Sequence, residues 1–302
     1  MTTTITSTPW QITGSENLPL FGNTHLPCDT ETPRAAIIMT HGFLGYKDYG
    51  LFPFLAQSLA DNGFICHRYN LAHSGMTNNI ESFEHPDLFE KDTWNHQVSD
   101  INAVIAAVQS GKIAGEGLPL ILWGHSRGGV SSLLTLGRHF LHHTNTNSSD
   151  DSTSHPAGLI TVSAPSATTR ISTEIREQIK AQGYLEVTSG RTGQTMRINR
   201  NWLDEIEADP DHHDVLKMAS HIQCPVLAIH GEEDPTVDSQ SASEIAQAVK
   251  RGGAPASYHL IPGANHVFNT TNPMPQGSEP STQLQELIKS CIEFAGRVAE
   301  SS

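Results

Sequence analysis

The chain has 302 residues, 37% apolar and 17% charged, long enough for a sizeable core and too apolar to remain unfolded. Its formal net charge of −14 argues against nucleic-acid binding, which rests on Lys and Arg neutralising phosphates, and equally against an anionic membrane surface. No apolar run reaches bilayer length, and Met1 to Ser7 has neither the basic region nor the apolar core of a signal peptide. Cys28, Cys66, Cys224 and Cys291 form no C-x-x-C pair, so the expectation is a reduced, cytoplasmic protein with no zinc and no disulfide framework.

Residues 8–27 alternate loosely, with turn signals at Gly14 and Gly22-Asn23, as in an antiparallel hairpin. The run Ala35-Ala36-Ile37-Ile38-Met39-Thr40 enters His41-Gly42 and reads as a strand buried on both faces. A helix is expected over 51–60, closed by Gly63, then a second buried strand over 64–69 and a loop over 70–92. Val98, Ile101, Val104, Ile105 and Val108 form the apolar stripe of a helix over 94–110. The apolar strand 120–123 runs into Gly124-His125-Ser126-Arg127-Gly128-Gly129, and Val130, Leu133, Leu134 and Leu136 continue at helical spacing. Residues 142–155 are polar and aperiodic, as in a surface loop. Strands resume at 159–163, 226–230 and 258–261, with helices marked by Ala242, Ile245, Ala246 and Val249 and by Leu284, Leu287, Ile288, Cys291, Ala295 and Val298. This alternation implies one α/β domain over 1–302, a mostly parallel central sheet flanked by helices. Residues 167–223 break it, with a helix over 171–181 and a hairpin of 184–187 and 195–198, and read as a short cap insertion over the carboxyl ends of the strands.

The glycines two before and two after Ser126 suit a serine on a sharp strand-to-helix turn, where the strained backbone leaves neighbours no room for side chains. A serine hydroxyl is a weak nucleophile and needs a base, normally a histidine oriented by a carboxylate. Asp234 follows the strand ending at His230, and His266 follows the last strand, so both fall at the carboxyl edge of the sheet where catalytic groups collect. Glu233 and Asp238 compete for the role of the acid, although Asp238 reads more naturally as the cap of the next helix. His41 and His125 are the other candidates for the base. His142-His143 and His212-His213 lack a carboxylate or cysteine at ligand spacing, so no metal is expected there. The pair Lys47-Asp48 and the Arg127 side chain read as surface or loop-fixing groups, while Leu44, Tyr46, Met196 and Trp202, with Phe43, are candidates to line an acyl pocket.

On the order Ser126, Asp234, His266 and the H-G-F run His41-Gly42-Phe43, the chain resembles the α/β-hydrolases from about Ala35 to Val298. Within them it is most similar to small bacterial serine esterases and prolyl-oligopeptidase-like, dienelactone-hydrolase-like hydrolases. The resemblance implies the α/β-hydrolase fold and an oxyanion hole of two backbone N–H groups, those of Phe43 and Arg127. It implies a cofactor-independent serine hydrolase acting on a small-molecule ester. An aminopeptidase-like or acyl-peptide hydrolase and a thioesterase use the same triad, and a non-catalytic binding protein shares the fold. No propeller domain fits in front of Ala35, which tells against the peptidase, and no triad member is missing, which tells against the binding protein.

Overall fold

In the computed structural model, which describes residues 6–27, 32–146, 155–275 and 277–302, the chain begins with an antiparallel hairpin of β1 (Thr8–Thr13) and β2 (Pro19–His25). Its turn falls at a short 3-10 segment, Ser15–Asn17. Gly22, expected in a turn, lies inside β2 instead: the Trp10 ring covers it so closely that a Cβ would come within 2.1 Å of the indole. There follow β3 (Ala35–Thr40), α1 (Phe52–Ala60), β4 (Phe64–Tyr69), α2 (Pro86–Glu90), α3 (Trp94–Gln109), β5 (Leu120–His125), α4 (Arg127–Thr146) and β6 (Gly158–Val162). The inserted segment carries α5 (Thr173–Gln182), β7 (Tyr184–Thr188), β8 (Thr195–Asn199), α6 (Asn201–Ala208), α7 (Pro210–His213) and α8 (Val215–Ala219). The chain closes with β9 (Val226–Gly231), α9 (Gln240–Arg251), β10 (Ala256–Ile261) and α10 (Thr282–Ser301).

The central sheet has eight strands in the order β1-β2-β4-β3-β5-β6-β9-β10, antiparallel up to the β2–β4 pair and parallel from there on. Every residue of β3, β4, β5, β6 and β9 is buried, which is why these segments are continuous apolar runs rather than alternating ones. Successive side chains of β3 separate to the two faces: Ala36 and Ile38 join Ile101, Val104, Leu133, Leu134 and Ile245 on the side of α3, α4 and α9. Ala35, Ile37 and Met39 join Leu55, Leu59, Trp123, Leu287 and Phe294 on the side of α1 and α10. Each fully buried Val, Leu, Ile, Met or Phe side chain among them contributes about 1.5–3 kcal/mol.

The insertion has its own small core. Ile179, Met196, Ile198, Trp202 and Leu203 pack with Tyr46 of the loop after β3, Met76 and Phe83 of the loop after β4, and Phe89 of α2. These elements therefore pack against the segments that follow those strands. Helix α4 extends to Thr146, into the polar segment expected to be a loop, and residues 147–154 lie outside the described residues. Cys66, Cys224 and Cys291 are buried and unpaired, as small apolar side chains, while Cys28 falls outside the described residues. Among the described residues, no helix is long and apolar enough to cross a membrane.

Candidate active site

Ser126 occupies the single residue between β5 and α4, with φ at 54°, in the left-handed region. A non-glycine residue held there stores on the order of 1–3 kcal/mol. The turn is held by Ser126 N–H donating to the Val162 carbonyl at 2.7 Å, and by the Ser126 carbonyl accepting from Gly129 N at 2.9 Å and Val130 N at 3.3 Å. The flanking glycines are dictated by contact. A Cβ on Gly124 would meet the Gly128 carbonyl oxygen at 2.4 Å, and one on Gly128 would meet the carbonyl oxygens of Thr40 and His41 at 2.4 and 2.5 Å. Gly42 is dictated in the same way, since its Cβ would lie 2.9 Å from the Ser126 Cβ.

The carboxyl end of β9 and the loop after β10 bring the other two groups to this point. His266 Nε2 lies 3.0 Å from Ser126 Oγ, and its Nδ1 lies 2.7 Å from Asp234 Oδ2. The side chain of Asp234 is fully buried. Its Oδ1 accepts from Thr236 N at 2.8 Å and Val237 N at 3.0 Å. Burial alone would raise its pKa, but hydrogen bonds from His230 and His266 hold the carboxyl well below the usual carboxylate range. The second imidazole was not anticipated: His230 Nε2 reaches the same Oδ2 at 3.1 Å, and the Val237 carbonyl at 3.0 Å. Its only sequence signal is its position four residues before Asp234, at the end of the strand.

Two further contacts fix the spacing of the acid turn and the histidine loop. A Cβ on Gly231 would meet the carbonyl oxygens of Ala264 and Asn265 at 2.4 and 2.7 Å, so the two segments touch through backbone. Within the histidine loop, Asn265 Oδ1 accepts from Val267 N at 3.0 Å and Asn269 N at 2.9 Å. Asp238, the rival acid, accepts from Gln240 N at 2.9 Å at the start of α9, and Glu233 is exposed.

His41 and His125 are otherwise engaged. His41 Nδ1–H donates to the Gly42 carbonyl at 2.9 Å and Nε2 accepts from Leu71 N at 3.2 Å, so the tautomer is fixed and the ring pins the Gly42-Phe43 loop. His125 Nε2–H donates to the His266 carbonyl at 2.9 Å. Burial pushes His41 down to about 4 and His125 down to about 3, and both rings are neutral at ordinary pH. The Arg127 guanidinium lies 4.4 Å from the Trp94 ring centre and 3.3 Å from Asp92, which fixes α4 against α3. Lys47, buried, pairs with the half-buried Asp48, which also takes the buried Arg68. His212 is paired with Asp209, and His213 Nδ1 with the Asp209 carbonyl.

A cavity of about 60 Å³ opens beside Ser126, walled by Phe43, Tyr49, Phe52 and Val267 together with the site histidines. Leu44, Tyr46, Met196 and Trp202, the other candidates for an acyl pocket, do not line this cavity. Tyr46, Met196 and Trp202 are buried in the core of the insertion, and Leu44 packs against that core. Tyr49 and Val267 were not singled out in the sequence; their adjacency to the H-G-F loop and to His266 was the available signal.

No curated protein sequence matches the chain significantly. Solved structures do. The esterase domain of a Rhodothermus marinus protein aligns over 97% of this chain and 98% of its own, at 18% identity and a TM-score of 0.62. Est1E from Butyrivibrio proteoclasticus aligns over 96% and 98%, at 16% identity and 0.64, and a ferulic-acid complex of it is also similar. The α/β hydrolase GrgF from Penicillium sp. sh18 aligns over 98% and 99%, at 15% identity and 0.69. At such identities these likenesses speak for the fold. Residues 37–276 match the Alpha/beta hydrolase family, and the chain belongs to it.

Proposed function

We propose that the protein is a serine hydrolase that cleaves carboxylic ester bonds of small acyl substrates. The observation that carries this reading is the continuous chain from Ser126 Oγ through His266 to Asp234, at 3.0 and 2.7 Å, on a strained turn. In this scheme His266 Nε2 takes the Oγ proton as Ser126 attacks the carbonyl carbon, and Asp234 stabilises the imidazolium. The oxyanion sits between the N–H groups of Phe43 and Arg127, the first beside the Gly42 contact with Ser126 and the second opening α4. His266 then passes its proton to the departing alkoxide. In the second half it takes a proton from water, whose oxygen attacks the acyl-enzyme, and returns that proton to Ser126 Oγ as the acid product leaves. The small cavity suits a short acyl group, and the similarity to named esterases favours esters over amides and thioesters.

The test is a fluorophosphonate probe followed by a rate panel of acyl esters of graded length, a thioester and an aminoacyl amide. The expected result is stoichiometric labelling of Ser126, none in a folded Ser126→Ala variant, and fastest turnover of short esters. Labelling of the alanine variant would overturn the nucleophile. Faster turnover of the amide or thioester would overturn the ester. An unlabelled wild type would make the chain a binding protein on a hydrolase fold.

A further inference from the structure

A second group of polar side chains converges away from Ser126 and has no part in that scheme. Glu16 in the β1–β2 turn, His73 in the loop after β4 and His96 in the first turn of α3 each bring one ligand atom to within 4.8 Å of the others. We propose that these three residues bind a divalent transition-metal ion of the zinc class, with two imidazoles and one carboxylate as ligands and a further position open to water. This donor set of nitrogen and oxygen matches what zinc takes from proteins.

Both imidazoles already face the one carboxylate: His73 Nε2 is 3.1 Å from Glu16 Oε2, and His96 Nε2 is 3.8 Å from Glu16 Oε1. The arrangement is built from a common anchor. Asp100, wholly buried, accepts from Ser15 N at 2.7 Å through Oδ1 and from Ala72 N at 2.8 Å through Oδ2. It therefore ties the residues adjoining Glu16 and His73 to the helix that carries His96, one turn earlier on the same face. Glu16 itself is held at φ 50°, the left-handed region, by this staple. His73 is fully buried, and its Nδ1 lies 3.3 Å from Ser15 Oγ. An outer partner of this kind orients a metal-bound imidazole and leaves Nε2 to face the ion.

The two rings stack 4.1 Å apart and within 8° of parallel, so one must tilt for both to aim at one ion. His96 is that ring. Its side chain is 24% exposed and its buried Nδ1 has no hydrogen-bond partner, so beyond the stack on His73 and the approach to Glu16 no hydrogen bond at Nδ1 fixes its orientation. Glu16, 55% exposed, opens the site to solvent. The three ligands come from separate segments, which is why spacing in the sequence does not reveal them.

The test uses the full chain, stripped with chelator, and ZnCl₂ titrated against a chromophoric competitor. The expected result is one equivalent bound with Kd near or below about 1 µM. His96→Ala and the conservative, exposed Glu16→Gln should each weaken binding by about 30-fold or more. His212→Ala, at the surface His–Asp pair, and His266→Ala should keep wild-type affinity. The proposal is overturned if the wild type takes up no stoichiometric zinc, if both ligand variants bind as tightly as wild type, or if His266→Ala abolishes binding.

Discussion

At the scale of single residues, one carboxylate oxygen carries much of the arrangement. Asp234 Oδ2 receives His266 at 2.7 Å and His230 at 3.1 Å, while Oδ1 takes two backbone N–H groups, so every direction around the carboxylate is filled. In the proposed scheme Asp234→Asn presents an amide that cannot accept equivalently from both imidazoles, and the turnover of an ester should fall by roughly 10⁴. Asp238 lies one residue before the α9 cap, Ser239, and Asp238→Asn keeps a side-chain oxygen to accept from Gln240 N, so it should leave kcat within about twofold. Steady-state kinetics on the two variants side by side decide the point, and the opposite ranking would move the acid to Asp238.

At the scale of elements, the spacing of the acid turn and the histidine loop rests on the absence of a side chain at Gly231. Gly231→Ala would force β9 away from the carbonyls of Ala264 and Asn265. We expect stability to drop by about 1–3 kcal/mol, the usual cost of overpacking. Displacements of this order misalign reacting groups, so kcat/KM should fall roughly 10²-fold with the circular dichroism spectrum unchanged. Unaltered activity would show that the two segments reposition freely. The strand series, the turn at Ser126 and the chain order of Ser126, Asp234 and His266 were legible in the sequence because each has a local pattern: unbroken apolar runs, two obligatory glycines, and polar residues just past strand ends. Of the apolar walls of the cavity, Phe43 was a candidate from the sequence, while Tyr49, Phe52 and Val267 were not. Tyr46 and Tyr49 are aromatic residues of one loop and pack edge to face, yet only three-dimensional packing buries the first in the core of the insertion and leaves the second, at the edge of that core, to line the cavity. His230 and the Glu16, His73 and His96 group were hidden for the same reason, their partners being set by sheet order and helix placement rather than by spacing.

At the scale of the whole molecule, buried histidines set the response to acid. His25, beside Arg68, and His41 and His67 are pushed down to about 4 chiefly by burial, and His125 to about 3. In the unfolded chain these rings titrate near about 6.5, so below that pH the unfolded state binds protons that the folded state refuses. The four together contribute stability that is intact above about pH 6.5 and is lost as pH falls toward 4, each by up to about 1.4 kcal/mol per pH unit. Asp92 and Asp100, whose pKa values burial raises, act in the opposite sense. Urea unfolding at pH 7, 6 and 5 should show a midpoint that drops at each step; a flat midpoint would mean that the rings protonate in place. The sheet order has a consequence for the time at which the molecule becomes reactive. Ser126 leaves a central strand, while His266 lies 140 positions later, after the edge strand β10. Contacts of such long sequence separation are entropically costly to close and form late. A nascent chain that has emerged only as far as α9 holds the serine turn without the imidazole that activates it in the proposed scheme. In that scheme nucleophilicity at Ser126 is withheld from partly made or partly folded molecules and arrives with the loop that follows the final strand.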